Sequence, residues 1–243
     1  MEIELPVSFE GTMVPTYNEI QCGQTIMFFT APDEMVDRMN KLYDEGKKNK
    51  TFPVVNDQEQ QLHEEFSLYL DDDEDTVENH NFLPDDVHKW AKDRIHQYLQ
   101  LKMVQYAGIK TNVAWINDFR ADDYLPTHIH AGARGTYNWN PGKPHQEGLI
   151  GMMALNMPKD MGNKELSKSH PTSYRYFDKS GYIEFSTGNH PRLQFAINSY
   201  PILQKTGDFI VFPYDMFHAV YPHFNQTEIR RTMPTNIDVF IND

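Results

Sequence analysis

From about residue 109 the chain breaks into short runs rich in β-branched and aromatic residues: "TNVAWIND", "GLIGMMALNMP", "GYIEFST", "LQFAINSYPILQ", "GDFIVFP", "HAVYPHF" and "RRTMPTNIDVFI". Gly, Pro, Asn and Asp punctuate them. Parallel strands need crossovers of a dozen or more residues, usually helical, and no such alternation of strand and helix is present. Internal repeats and phosphate-binding glycine loops are absent as well. The pattern therefore predicts an antiparallel sandwich or barrel.

The first half carries two helical signals. In "PDEMVDRMNKLYDEG" Met35, Val36, Met39, Leu42 and Tyr43 recur at helical spacing, after Pro32 and two acids and before Gly46. In "LPDDVHKWAKDRIHQYLQLKM" Val87, Trp90, Ala91, Ile95, Tyr98, Leu99 and Met103 form a longer stripe opened by Pro84 and two aspartates. The acidic run Asp71 to Asp75 lacks the glycine and closing glutamate of an EF-hand loop and reads as a solvated bend. No low-complexity linker interrupts the chain. The expected organisation is one domain over 1–243, with a helical and flanking-strand region at 1–108 and a β core at 109–243.

A chain of 243 residues with 39% hydrophobic and 23% charged residues can bury a sizeable core. Its formal net charge of −13 argues against a nucleic-acid footprint, which needs clustered Lys and Arg. A small-molecule or peptide substrate fits better. The single cysteine, Cys22, cannot form an internal disulfide, and "MEIELPVSFEG" does not combine a basic segment with an apolar run. These features predict a cytosolic protein, with no apolar run long enough to span a bilayer.

In "DDYLPTHIHAG" two histidines stand one residue apart after a proline. On a strand His128 and His130 would share one face, where they are either metal ligands or two polar positions on a wet strand. A third ligand is available in "KTGDFIVFPYDMFHAVYP", where His218 follows an apolar strand and a short loop. Neutral imidazole suits iron, zinc and copper. In "RRTMPTNIDVF" Arg230 and Thr232 share a strand face, a guanidinium with a hydroxyl beside it, which suits two-point capture of a carboxylate. Arg231 would face the other way, toward solvent. His145, His170, His190 and His223 sit among turn residues and read as surface histidines.

Taken in order, "WINDFRADDYLPTHIHAG", "GLIGMMALNMP", "GYIEF", "GDFIVFPYDMFHAVYP" and "RRT" resemble the iron(II)- and 2-oxoglutarate-dependent oxygenase superfamily. They look nearest to its bacterial and phage members with a His-x-His motif, and the resemblance covers roughly 109–240. It implies a double-stranded β-helix, a cupin-like jelly roll, with flanking helices. By the same resemblance His128 and His218 would be iron ligands, Arg230 would pair with the far carboxylate of 2-oxoglutarate, and Thr232 would supply a hydroxyl. Position 130 is Asp or Glu in most of the superfamily; here it is His130, so three imidazoles hold the metal or a carboxylate such as Asp118 or Asp123 completes the set. Met153 and Ala154 stand where the family usually has a tyrosine pair, which makes Tyr137 a candidate replacement. The long segment 131–148, with Asn138, Trp139 and His145, reads either as a loop shaping the substrate pocket or as a surface insertion.

The activity implied is oxidative decarboxylation of 2-oxoglutarate to succinate and carbon dioxide, coupled to hydroxylation of a substrate in a bacterial or phage-infected cytosol. Halogenating relatives replace the carboxylate with a small residue, and a histidine there favours hydroxylation. Two rivals stand beside this reading. A three-histidine cupin dioxygenase without 2-oxoglutarate explains His130 more simply but leaves Arg230 and Thr232 unused. A non-enzymatic jelly-roll binding or virion module explains neither set.

Overall fold

The computed structural model describes residues 18–21, 24–53, 64–70, 80–130, 145–162, 179–186 and 199–241. The acidic run 71–75 lies outside them, as do His170 and His190.

Helix α1 spans Asp33–Asn49 and α2 spans Asp85–Leu101, each preceded by a proline with φ −58° and opened by two acids. Pro fits a helix start because its missing N–H has no intrahelical partner there, and the acids complement the helix dipole. The buried stripes are the expected ones: Met35, Val36, Met39 and Tyr43 on α1, and Val87, Ala91, Ile95, Tyr98 and Leu99 on α2. Helix α1 does not stop before Gly46, as its sequence suggests, but continues to Asn49 and ends at Lys50, a left-handed residue with φ 54°. Gly46 is tolerated in the helix because the ring of Phe52 fills the space that a Cβ would take.

Among the described residues, twelve strands form two antiparallel sheets. Strands β1 (Asn18–Gln21), β2 (Thr25–Thr30), β3 (Glu64–Leu70) and β4 (His80–Asn81) come from the N-terminal region. They flank β5 (Tyr106–Phe119), β7 (His145–Asn156), β10 (Asp208–Pro213) and β12 (Arg230–Ile241) in an eight-stranded sheet of order β1-β2-β10-β7-β12-β5-β3-β4. The smaller sheet has the order β6-β11-β8-β9, made of β6 (Leu125–His128), β11 (Phe217–Val220), β8 (Ile183–Ser186) and β9 (Ser199–Ile202). The expected boundary at residue 108 thus falls inside β5, and strands from before it complete the large sheet.

Alternation along the central strands sorts two cores. Met153 and Leu155 of β7, Phe209 and Val211 of β10, and Met233 and Ile237 of β12 pack against the two helices. Their neighbours Ile150, Met152, Ile210 and Phe212 face the small sheet and meet Ile183, Phe185, Ile202 and Val220. Burial on both faces explains why these strands read as continuous apolar runs rather than as alternating ones. Each such side chain contributes about 1.5–3 kcal/mol, so a one-residue slip, which exchanges the two faces, is strongly disfavoured.

The polar residues of β12 obey the same rule. Arg231 turns away from the small sheet, as alternation requires, but it does not reach solvent: its side chain is only 12% exposed. Its Nε and Nη2 donate to the two carboxylate oxygens of Asp118 at 2.7 and 3.2 Å. Nη1 reaches Asn40 at 3.0 Å and Asp44 at 3.0 Å, and the guanidinium lies 4.1 Å from the centroid of the Tyr43 ring. Helix α1 covers this face, so the expected outward arginine became a clamp between helix and sheet. No helix among the described residues is long and apolar enough to cross a membrane.

Removing one member of a buried, hydrogen-bonded ion pair leaves the other without compensation, at about 3–5 kcal/mol. Arg231→Ala should therefore cost about 3 kcal/mol in urea denaturation, the low end because Tyr43 and Lys47 still approach Asp118 at 3.1 and 3.6 Å. Lys89→Ala, which opens the exposed Lys89–Asp93 pair on α2, should cost under about 0.5 kcal/mol. Equal effects would mean that the clamp adds nothing beyond a surface pair.

Candidate metal centre

The edge strand β6 pairs with β11 so that His128 lies opposite His218. His130 continues the line two residues beyond His128, on the same face, where its backbone N–H donates to the Tyr214 carbonyl at 2.9 Å. Tyr214 is itself fixed. Its ring lies against Gly148, where a Cβ would collide with it, and its hydroxyl donates to Asp238 at 3.2 Å.

The three imidazoles converge. Ring centroids are 4.2 Å apart for His128 and His218, 5.0 Å for His130 and His218, and 5.3 Å for His128 and His130. One nitrogen from each ring lies within 4.8 Å of the other two, and Nε2 of His130 is 3.2 Å from Nε2 of His218. Two ligands about 2.0–2.1 Å from one metal ion, at right angles, would stand roughly 3 Å apart. The donor set also has the right protons. Nδ1 of His128 faces the Pro126 carbonyl at 2.8 Å, and Nδ1 of His218 faces the Met216 carbonyl at 2.9 Å. A carbonyl only accepts, so both Nδ1 atoms carry hydrogen and each Nε2 keeps the lone pair that a metal would take.

Electrostatics favour the same neutral form. Burial and then the charge of His128 push the His218 pKa down to about 3, against a small opposing effect of the Met216 carbonyl. Burial, followed by His218 and His128, holds His130 well below its ordinary value, with the Asn236 side chain opposing. Aromatic rings supply the dry surround: Phe212 lies 4.9 Å and Phe185 5.6 Å from His218, and Trp115 lies 5.9 Å from His130.

The histidines line a cavity of about 290 Å³ between the sheets, and Arg230 and Thr232 line the same cavity. Arg230 is 1% exposed. Its Nη2 donates to Oε1 of Gln204 at 3.3 Å, but its Nε and Nη1 have no partner among the described residues. Burial lowers its pKa, to about 10. A buried guanidinium with two idle donor atoms is costly unless an anion arrives. The cavity thus combines a set of metal-binding nitrogens with a demand for a negative group.

The structure brings together His128, His130, His218, Arg230 and Thr232 among the residues singled out from sequence. Tyr137, Asn138 and Trp139 lie outside the described residues. His145, expected in a loop, instead opens β7, because β12 extends to Ile241 and pairs with it there. Neither candidate carboxylate joins the cluster: Asp118 is held by Arg231 on the opposite face, and Asp123 accepts from the Arg120 backbone N–H at 2.6 Å in a turn. His223, expected at the surface, is 1% exposed and its Nε2 lies 3.1 Å from the Phe119 carbonyl. On β7 the cavity is lined by Ile150 and Met152, while Met153 faces the helices.

Several lining residues escape a reading of single motifs. Asn236 lies on the Arg230 face of β12, and Trp115 and Asn117 lie on the matching face of β5, positions that strict alternation from Arg230 and Phe119 would have given. Glu65 comes from β3, which pairs it with Asn117. No short motif marks it.

Neither a protein-family model nor a curated protein matches the sequence. Solved structures do match. A 2OG-Fe(II) oxygenase family oxidoreductase from Burkholderia pseudomallei is similar with TM-score 0.51 at 12% identity, over 83% of this chain and 76% of that one. The viral collagen prolyl hydroxylase of Paramecium Bursaria Chlorella virus-1, in its 2OG complex, gives TM-score 0.50 at 12% identity, over 93% and 96%. The alpha ketoglutarate dependent epimerase SnoN from nogalamycin biosynthesis gives 0.53 at 10% identity, over 88% and 80%. At such identities the likeness is one of fold: the chain shares the mainly β jelly roll with flanking helices, as its sequence predicts.

The depressed histidines set the pH response of the metal-free protein. Below an ordinary pKa of about 6.5 the unfolded chain takes up protons that folded His218 refuses until about pH 3, so stability falls as pH drops through that window. From pH 6.5 to 5 the loss attributable to His218 is about 2 kcal/mol. Chemical denaturation in chelator at both pH values should show it, and His218→Gln should flatten the dependence. An unchanged slope in the variant would place the proton uptake elsewhere.

Proposed function

We propose that this chain is an iron(II)- and 2-oxoglutarate-dependent dioxygenase that hydroxylates a small molecule or a peptide side chain. The observation that carries this reading is Arg230, a buried guanidinium whose Nε and Nη1 have no partner among the described residues, in the same cavity as three imidazoles that bring a nitrogen each within 4.8 Å of the others. His128, His130 and His218 would hold the metal, Arg230 would receive the far carboxylate of 2-oxoglutarate in a charge-assisted two-point contact, and Thr232 would add its hydroxyl. Bound iron and 2-oxoglutarate supply the oxidation, with succinate and carbon dioxide as products. The chain's own contribution is orientation and exclusion of water: the Pro126 and Met216 carbonyls aim two ligands, and Phe212, Phe185 and Trp115 keep their surround apolar. The relatives of like fold support the choice, since one is a 2OG complex and another is described as alpha ketoglutarate dependent.

A three-histidine dioxygenase without 2-oxoglutarate would use the metal site and leave Arg230 uncompensated; a binding module with a structural metal would do the same. The acidic net charge of −13 supports a substrate other than nucleic acid, and the lone cysteine supports a cytosolic setting. We include Tyr137, Asn138 and Trp139 in the proposal as candidates to approach the cavity from the adjoining segment.

Iron(II) and 2-oxoglutarate together should raise the melting temperature more than the sum of each alone, because one partly ligates the other. A rise with 2-oxoglutarate that needs no metal would argue against chelation. Arg230→Ala should raise the apparent 2-oxoglutarate constant by about one to three orders of magnitude, from hydrogen bonds to charge of roughly 1.5–3 kcal/mol each, and leave metal affinity nearly unchanged. Arg231→Ala, an obvious control from sequence, is unsuitable because that side chain clamps Asp118. His130→Leu should weaken metal binding strongly while His130→Asp retains it, as isothermal titration would register. Unaltered affinity in the leucine variant would remove His130 from the ligand set.

A further inference from the structure

Two consecutive arginines on β12 are treated in opposite ways. Arg231 is matched by the carboxylates of Asp118 and Asp44, whereas Arg230, more deeply buried, is met by an amide, that of Gln204. Gln204 follows β9, is 2% exposed, and reaches across to β12. A guanidinium only donates, so Gln204 must present Oε1 to it, and its own Nε2 is left as a further buried donor without an acceptor. Nε and Nη1 of Arg230 and Nε2 of Gln204 are thus three enclosed donor atoms with no acceptor among the described residues. A glutamate of the same length would neutralise the arginine. The chain has an amide there instead, at the cost of leaving a charge exposed to the cavity alone.

We propose that Gln204 is the positioning residue for Arg230: its carbonyl fixes the guanidinium without neutralising it, which reserves the charge for the far carboxylate of the cosubstrate. This rests on the 2-oxoglutarate reading above and adds to it the reason why the arginine stays both ordered and unpaired. Gln204 touches the arginine rather than the reacting atoms, so its effect should appear in cosubstrate affinity and in discrimination between oxo acids. It should not appear in metal binding.

The test titrates Mn(II)-loaded protein with 2-oxoglutarate and with 2-oxovalerate, which keeps the chelating end and carries a methyl group in place of the far carboxylate. Gln204→Glu should weaken 2-oxoglutarate by at least about ten-fold, since an internal carboxylate now competes for the guanidinium, and leave 2-oxovalerate within about two-fold of the parent. The same variant should melt above the parent in the absence of oxo acid, because the buried charge has gained a partner. Gln204→Leu, which removes the hydrogen bond without adding charge, should weaken 2-oxoglutarate by about three- to ten-fold and decides the matter if the glutamate variant fails to fold. Parent-like 2-oxoglutarate affinity in either folded variant overturns the proposal, as do equal losses for the two oxo acids. A parent protein that binds no 2-oxoglutarate overturns the oxygenase reading, and this inference with it.

Discussion

The Arg231–Asp118 pair fixes what the other face of β12 can do. It joins the strand to β5 by two hydrogen bonds to one carboxylate and to α1 through Asn40, Asp44 and Tyr43. Because strand side chains alternate, clamping position 231 toward the helices commits 230, 232 and 236 to the opposite cavity. A register error of one residue would take a paired cation out of its carboxylate cage and put the unpaired one into it. The apolar residues of β7, β10 and β12 enforce the same register from both sides.

The cavity itself depends on keeping cations apart and imidazoles neutral. Three histidines at these separations would repel one another if protonated, and burial already disfavours the charged form. The backbone carbonyls two residues before His128 and His218 settle which nitrogen is available, a local device that each strand carries with it. Pro234 sits in the middle of β12, where a missing N–H would normally break a ladder. It lines the cavity, and the pairing with β5 lapses there, between Thr232 and Thr235.

Much of this was legible in the sequence because the signals are local. The strand runs after residue 109, both helix starts and the opposite facing of Arg230 and Arg231 follow from periodicity and proline placement. The histidine set followed from a spacing of two and from the order of motifs. What was not legible depends on distant partners. Asp118 lies 113 residues from Arg231, so the clamp could not be told from a solvent-facing arginine. Gln204 closes the strand-like run "LQFAINSYPILQ", and nothing in it or in the following "KTGD" marks its side chain as a partner for residue 230. Helix α1 ran through Gly46 because of Phe52, a ring six residues away that no propensity scale sees.

Glu65 gives the ligand set another meaning. A ferrous ion held as proposed by three neutral imidazoles would keep both its positive charges, and Arg230 would add one more; the dianionic cosubstrate would cancel only two of the three. Glu65, carried by β3, stands in the same cavity wall. With the carboxylate on the wall rather than among the ligating groups, an ion held as proposed would keep a bare dication's pull on whatever binds it.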